Sequence, residues 1–193
     1  MAQINKPSEY FNTVLYTGNG STQSITGVGF QPDLLWFKNR DSAINHMWFD
    51  SVRGIDKYFY GNLSEAEGTS ATILTAIGSD GFSVGANNNV NGSGNGIASW
   101  NWKANGAGLS NTAGTITSTV SANTTSGFSI VTYTGTGSVA TVGHGLGTAP
   151  DVVFFKNRTG APNSWHVYHS SFANATDLLL LDGTGSLYTS NNY

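Results

Sequence analysis

Two stretches of this chain are written twice. Tyr16-Thr17-Gly18-Asn19-Gly20-Ser21 returns as Tyr133-Thr134-Gly135-Thr136-Gly137-Ser138, and Pro32-Asp33-Leu34-Leu35-Trp36-Phe37-Lys38-Asn39-Arg40 returns as Pro150-Asp151-Val152-Val153-Phe154-Phe155-Lys156-Asn157-Arg158. The offsets are 117 and 118 residues. Polar and turn-forming residues are kept while apolar ones drift within type, as duplication of one structural unit predicts. A period this long calls for tandem domains, because solenoid units run about 20–50 residues. No reactive residue is repeated, which points first to a building or binding role.

Composition narrows the fold class. Only 10% of the 193 residues are charged, against about 25% in an ordinary domain, while 25 are Gly and Ser, Thr and Asn abound. Low charge with neutral polar residues suits a β-protein with short turns, or a surface packed against neighbours. The net charge of −3 offers no basic field for a phosphate backbone, so nucleic acid is excluded as a partner. With no cysteine there is neither disulfide nor thiolate metal site. The first twenty residues hold no apolar stretch of signal-peptide length, and no run is long enough to insert in a membrane.

A short polar arm, residues 1–7, precedes a strand over 10–17. The run Leu34-Leu35-Trp36-Phe37 is apolar on both faces and too short for a helix, so it reads as a fully buried strand, and Val152-Val153-Phe154-Phe155 repeats it. Further strands are expected at 47–49, 57–60, 81–84, 97–103 and 165–170. Helix signals are nearly absent: Ser64-Glu65-Ala66-Glu67 could start a turn, but Gly68 follows at once. The fold class is therefore all-β, two tandem jelly-roll or β-sandwich modules. The first covers residues 8–104, a Gly/Ser/Thr-rich connector with a strand in it covers 105–126, and the second covers 127–193. The second is truncated, since nothing in it corresponds to Gly81-Phe82 or to Trp100-Asn101-Trp102. The expectation is an N-terminal part of a longer protein, the alternative being missing strands supplied by another chain. The two repeated strands are expected at the centres of two separately packed cores.

Chemistry is thin. His46, His144, His166 and His169 are the side chains that titrate near neutrality, but His166 and His169 lie on a strand with opposite faces, and surface histidine is the default reading. No pair of carboxylates stands out. Glu65 and Glu67 fall in a loop, and Asp33 and Asp151 follow Pro at strand entrances, where turn formation explains them. The loops 92–96 and 143–147 lack the Lys-Ser or Lys-Thr of a phosphate cradle. Asn87-Asn88-Asn89 resembles a calcium loop in composition but has no Asp, so calcium binding is weak or absent. No catalytic residue, cofactor or metal site is assigned. Of the tryptophans, Trp36 is read as core because Phe154 replaces it, and Trp100, Trp102 and Trp165 are the candidate contacts for a glycan or a partner. Lys38-Asn39-Arg40 and its copy read as solvated strand ends, or as cations that pair with acids on an adjacent module.

The opening Tyr10-Phe11-Asn12-Thr13, the Tyr-Thr-Gly-x-Gly-Ser turn, Gly29-Phe30-Gln31-Pro32-Asp33, Trp36-Phe37-Lys38-Asn39-Arg40, Asp50-Ser51-Val52-Arg53-Gly54 and Ala98-Ser99-Trp100-Asn101-Trp102-Lys103-Ala104 together resemble repeated modules of virion proteins from tailed, especially marine, bacteriophages. The second unit, with Val142-Gly143-His144-Gly145-Leu146-Gly147 and Trp165-His166-Val167-Tyr168-His169-Ser170, is similar to the sister module that usually follows. The resemblance implies a concanavalin-like or laminin-G-like jelly roll in a tail fibre, capsid fibre or other particle-surface structural protein. No catalytic residue comes with it, so the chain is expected not to be an enzyme. The implied partners are other virion proteins of tail or capsid, and host surface glycan where the fibre takes part in host attachment. A homo-oligomer, preferably a trimer, follows from fibre architecture. The implied location is the virion, after synthesis in the host cytoplasm. A carbohydrate-binding module for host glycan is the alternative function.

Overall fold

The computed structural model describes residues 4–160 and 162–190, and they form an all-β protein of antiparallel sheets. The first half is a sandwich. Its larger sheet runs in the order β1 (Phe11–Thr17), β9 (Gly96–Trp102), β3 (Leu34–Asn39), β4 (Met47–Asp50), β5 (Lys57–Tyr60) and β6 (Gly68–Thr69). Its smaller sheet runs β2 (Gln23–Thr26), β8 (Gly81–Val84), β7 (Leu74–Gly78). Alternation of side chains sends Leu35, Phe37, Met47, Phe49 and Ile97 of the large sheet against Ile25, Leu74, Phe82 and Val84 of the small one. Leu35, Phe37, Met47, Phe49, Leu74, Val84 and Ile97 are all fully buried.

Polar residues inside this core are bonded, as burial requires. Asn91, in the single-turn helix α1 (Asn88–Asn91), donates through Nδ2 to the carbonyls of Ser21 and Gly85. The Asn-rich stretch suspected of resembling a calcium loop is thus internal glue. Gly18 of the repeated turn is needed for a close approach, since a Cβ there would lie 2.2 Å from the Gly92 carbonyl oxygen. Its copy, Gly135, meets nothing within 4 Å.

The duplication is explicit in the strand pairing. β13 (Val152–Phe155), β14 (His166–His169), β15 (Asp177–Leu180) and β16 (Tyr188–Thr189) form a four-stranded sheet in that order, reproducing β3-β4-β5-β6 partner for partner. Leu34 pairs with Asp50 and Val152 with His169; Lys57 pairs with Thr69 and Asp177 with Thr189. Even the corner bonds recur: Ser51 N–H donates to the Asp33 carbonyl at 2.9 Å, and Ser170 N–H to the Asp151 carbonyl at 2.8 Å. One pair has exchanged sizes. Tyr58 faces Gly68, where a Cβ would lie 2.3 Å from its ring, whereas in the copy Leu178 faces Tyr188.

The copy of β1 is β12 (Phe128–Tyr133), which pairs with β11 (Ser118–Asn123), itself paired to β10 (Leu109–Asn111). Residues 105–126 therefore hold two strands besides linker. Among the described residues no strand stands where β9 does in the first unit, so β12 and β13 lie in different sheets and β13 is an end strand where β3 is interior. This corrects the expectation of two central core strands. Leu34–Asn39 is interior, but Val152 and Phe154 are 43% and 46% exposed. The second unit has no apolar core cluster of its own among the described residues; its Trp165 joins Trp48 and Phe59 of the first. Ser64 to Glu67 form no helix, as Gly68 led one to expect. No helix among the described residues is long and apolar enough to cross a membrane.

Candidate functional site: the outer aromatic face

The outward face of the large sheet carries a continuous row of side chains. Register places Thr13 beside Trp100, Trp100 beside Trp36, Trp36 beside Trp48, and Trp48 beside Phe59, one residue from each of five adjacent strands. Such a row arises because residues directly opposite in an antiparallel pair share one face. Ring centroids are 5.5 Å apart for Trp100 and Trp36, and 4.8 Å for Trp36 and Trp48. Trp36 is thus a half-buried outer-face residue, not the core residue its copy suggested, and Phe154 occupies the same outward position.

The second unit closes one end of this row. Trp165 lies 4.8 Å from Trp48 and 5.1 Å from Phe59, and its Nε1 donates to the Tyr60 carbonyl at 2.9 Å. It is only 5% exposed, which removes it from the candidate ligand contacts: it is spent inside the chain. Beside it runs a chain of charge. Arg53, whose Nε donates to Asp50, places Nη1 2.9 Å from Glu67, and Glu67 also takes Arg158 Nε and Nη2 at 3.0 Å each. The Lys-Asn-Arg copy therefore pairs with an acid of the neighbouring unit, as the sequence suggested for Arg158. Burial pushes the Glu67 carboxyl up, but the hydrogen bonds and charges of Arg158 and Arg53 outweigh that and hold it below the usual carboxylate range. Lys156 adds a bond to the Ser64 carbonyl at 3.1 Å.

At the other end, Trp102 lies between Phe11, at 4.9 Å, and Phe128 of β12, stacked at 6.2 Å. Trp36 and Trp100 are half-buried between these two closures, with Leu15 61% exposed and Phe11 38% exposed nearby on the same face. Two polar groups border Trp36. Its Nε1 donates to His46 Nδ1 at 3.2 Å, and burial, then the Lys38 charge, pushes the His46 pKa down. Lys38 itself is tied to the Ser42 and Ile44 carbonyls. Of the three tryptophans singled out, then, Trp100 stays in the open stretch, Trp102 is partly covered, and Trp165 is closed.

A separate recess of about 230 Å³ opens where β11 and β12 approach Arg158, lined by Thr119, Thr132 and Tyr133 among other hydroxyl residues. Its polar walls could take water or sugar hydroxyls; Arg158, already neutralised by Glu67, lends little pull on an anion. The remaining histidines serve local structure. His166 meets the Tyr188 hydroxyl, His169 Nδ1 accepts from Ser171 N–H at 3.0 Å, and His144 Nδ1 accepts from Leu146 N–H at 3.3 Å. Among the described residues no three His, Cys, Asp or Glu gather as a metal site. Sequence reasoning missed Trp48 and Phe59 as half of the row, although the cross-strand order needed to see it is not written in any local pattern.

No curated protein and no solved structure matches the chain. One family model does, over residues 6–193, and it spans both units and everything between them. The chain accordingly belongs to the family described as Domain of unknown function (DUF7483).

Proposed function

We propose that this chain is a non-enzymatic structural protein of a tailed bacteriophage virion, a tail fibre or other particle-surface fibre in which tandem β-units stiffen and extend an appendage. The observation that carries the reading is the way the two units are locked together. Buried Trp165 sits on Trp48 and Phe59, and Glu67, buried beside Arg53, reaches the partly exposed Arg158, so the duplicated sheet is held against its parent by an apolar plug and a bidentate ion pair. A binding protein on a flexible tether has no need of such a lock, whereas a building element does. The low charge and the series of motifs resembling phage modules support the same reading, with other virion proteins as partners and a trimer as the preferred assembly.

The test is a protein inventory of purified phage particles by mass spectrometry, followed by labelling to locate the chain. Presence at a copy number that is a multiple of the appendage symmetry is the expected result. Its absence from particles, with the chain found only in the lysate, would sink the proposal.

A second reading, a carbohydrate-binding module for host glycan, rests on the open stretch of Trp36 and Trp100, since indole faces stack on sugar rings. Tryptophan fluorescence titrated with host surface polysaccharides decides it, and Trp100→Ala should abolish any response.

A further inference from the structure

Asn followed by Gly occurs four times, at 19–20, 91–92, 95–96 and 105–106. The pair is chemically weak, because glycine has no Cβ to keep its nitrogen away from the side-chain carbonyl carbon of the asparagine. Three of the four are locked by hydrogen bonds. Asn19 Oδ1 accepts from Ser21 N–H at 2.8 Å, and Gly20 N–H donates to the Asn91 carbonyl at 2.9 Å. Asn91 is fully buried, its amide donating to Asn19 Oδ1 at 3.1 Å and to the Gly85 carbonyl at 3.0 Å. Asn95 donates to Ser42 Oγ at 3.1 Å, and Gly96 N–H to Asp41 Oδ2 at 2.6 Å. Asn105 differs on every count. It is exposed, and among the described residues neither its side-chain amide nor the Gly106 N–H has a hydrogen-bond partner. Space is open beside it too: a Cβ built on Gly106 would come no nearer to its surroundings than 4.0 Å, at Gln31 Nε2.

We propose that Asn105 is a site of spontaneous deamidation, and that its conversion loosens the joint between the first sandwich and the β10–β12 sheet. The Gly106 nitrogen gives its proton to hydroxide and attacks Asn105 Cγ. The N–Cγ bond forms, the Cγ–Nδ2 bond breaks, and Nδ2 leaves as ammonia with a proton from water. Water then opens the cyclic imide. Opening at Cγ gives aspartate, opening at the main-chain carbonyl carbon gives isoaspartate, and nothing is oxidised or reduced in either branch. The backbone that reacts is the one that ties the two sheets together. Asn105 N–H donates to Ser121 Oγ of β11 at 2.7 Å, and the Gly106 carbonyl accepts from Ser51 Oγ of the first sandwich at 2.6 Å. Isoaspartate carries the main chain through Cβ, which inserts an extra atom between those two anchors and pushes their bonds out of register. Each product also sets a new negative charge next to the Ala104 N–H that buried Asp33 holds at 2.7 Å. Loss of ammonia is irreversible in water, so the joint keeps a record of elapsed time. This inference stands apart from the proposed structural role, since a joint that ages serves a fibre or a free binding protein alike.

The experiment incubates the full-length protein at mildly alkaline pH and follows each Asn-Gly pair by peptide mapping, with a free synthetic peptide of residues 102–109 as the reference. Asn105 is expected to convert within about 10-fold of the free peptide, and the other three pairs at least about 10-fold more slowly than Asn105, since each must open before it reacts. Ion exchange separates the product by its added charge, and enzymatic methylation of isoaspartate identifies it. In that product the β11 amides should exchange about 10-fold faster than in fresh protein, as loss of about one hydrogen bond requires, while those of Phe37 and Phe49 keep their protection. Asn105→Gln, whose longer side chain does not close the same ring, should hold its β11 protection through the incubation. Two results remove the site: Asn105 lagging the free peptide by more than about 10-fold, or leading the other three pairs by less than that. Two others remove its effect on the joint: converted protein with β11 protection unchanged, or Asn105→Gln losing that protection at the same pace as the natural chain.

Discussion

Replacing Trp165 by Ala tests whether the second unit depends on the first for its core. The ring is 5% exposed and packs on Trp48 at 4.8 Å and Phe59 at 5.1 Å. Truncating a buried Trp costs about 3–5 kcal/mol. Two aromatic pairs at about 0.5–1.5 kcal/mol each account for roughly 1–3 kcal/mol of that, and the lost donor to the Tyr60 carbonyl for about 1 kcal/mol. Because the hole opens at the seam between units, where water can enter, a loss of about 3 kcal/mol is expected, which is roughly a 100-fold change in an opening equilibrium. It should fall on one unit only. The first sandwich core and the Trp165 cluster are separate sets of residues, so amides of β13–β15 should exchange about 100-fold faster while those of Leu35, Phe37, Phe49 and Val84 keep their protection. Trp165→Phe should recover most of the loss. Equal acceleration in both units would refute the reasoning by showing one cooperative core, and a change below about 0.5 kcal/mol, the level of a surface substitution, would show that Trp165 does not hold the seam.

Three further outcomes follow from the same contacts. Gly61→Ala would put a Cβ 2.5 Å from Trp48 Nε1, and with Trp48 pinned under Trp165 the overpacking should cost about 1–3 kcal/mol by urea denaturation, whereas Gly135→Ala, in open space, should change stability by less than about 0.5 kcal/mol. Glu67 is held below its ordinary pKa in the fold, so its contribution is complete above the unfolded value and is lost as pH falls through the folded one; acid titration followed by exchange should free β13–β15 before the first sandwich, and Glu67→Gln, which strips the carboxylate from Arg53, should cost about 3 kcal/mol at neutral pH and erase that ordering. His46 is likewise depressed below 6.5, so neutral imidazole accepts from Trp36 until pH drops beneath that value; indole fluorescence should shift with a midpoint under 6.5, stability should fall on the acid side, and a midpoint above it would contradict the assigned hydrogen bond.

The strands legible in the sequence were those with apolar character or repeated flanks. Residues 57–60 and 81–84 form strands at the expected bounds, β4 and β9 lie within a residue of theirs, and β3 runs two residues further, to Asn39. β10 and β11 were blurred into a connector because Ser, Thr and Asn dominate them, and their pairing rather than their side chains makes them strands. The repeated apolar run revealed a strand but not its surroundings. Leu34-Leu35-Trp36-Phe37 and Val152-Val153-Phe154-Phe155 look equally buried in sequence, yet burial of the first depends on β9, some sixty residues onward, and among the described residues no strand covers the second on that side. Trp165 stands in sequence as a candidate glycan or partner contact because nothing local marks its neighbours, which come from β4 and β5. Arg158 fared better: a cation kept at a strand end invited an acid on the next module, although which acid could not be named before Glu67 was seen beside it.

The exchanged sizes of Tyr58 with Gly68 and of Leu178 with Tyr188 bear on how a duplicated chain folds at all. Tandem copies of one unit risk threading through each other, each borrowing a strand from its neighbour, a characteristic failure of repeat proteins. Here the hybrid pairings are unequal to the native ones. β5 joined to β16 would set Tyr58 against Tyr188 where only a glycine fits, and β15 joined to β6 would leave Leu178 opposite a bare glycine. One crossed product is overfilled and the other hollow. The two halves share a pattern of backbone pairing, yet at this corner they carry incompatible keys, which favour pairing of each strand within its own unit over pairing across units.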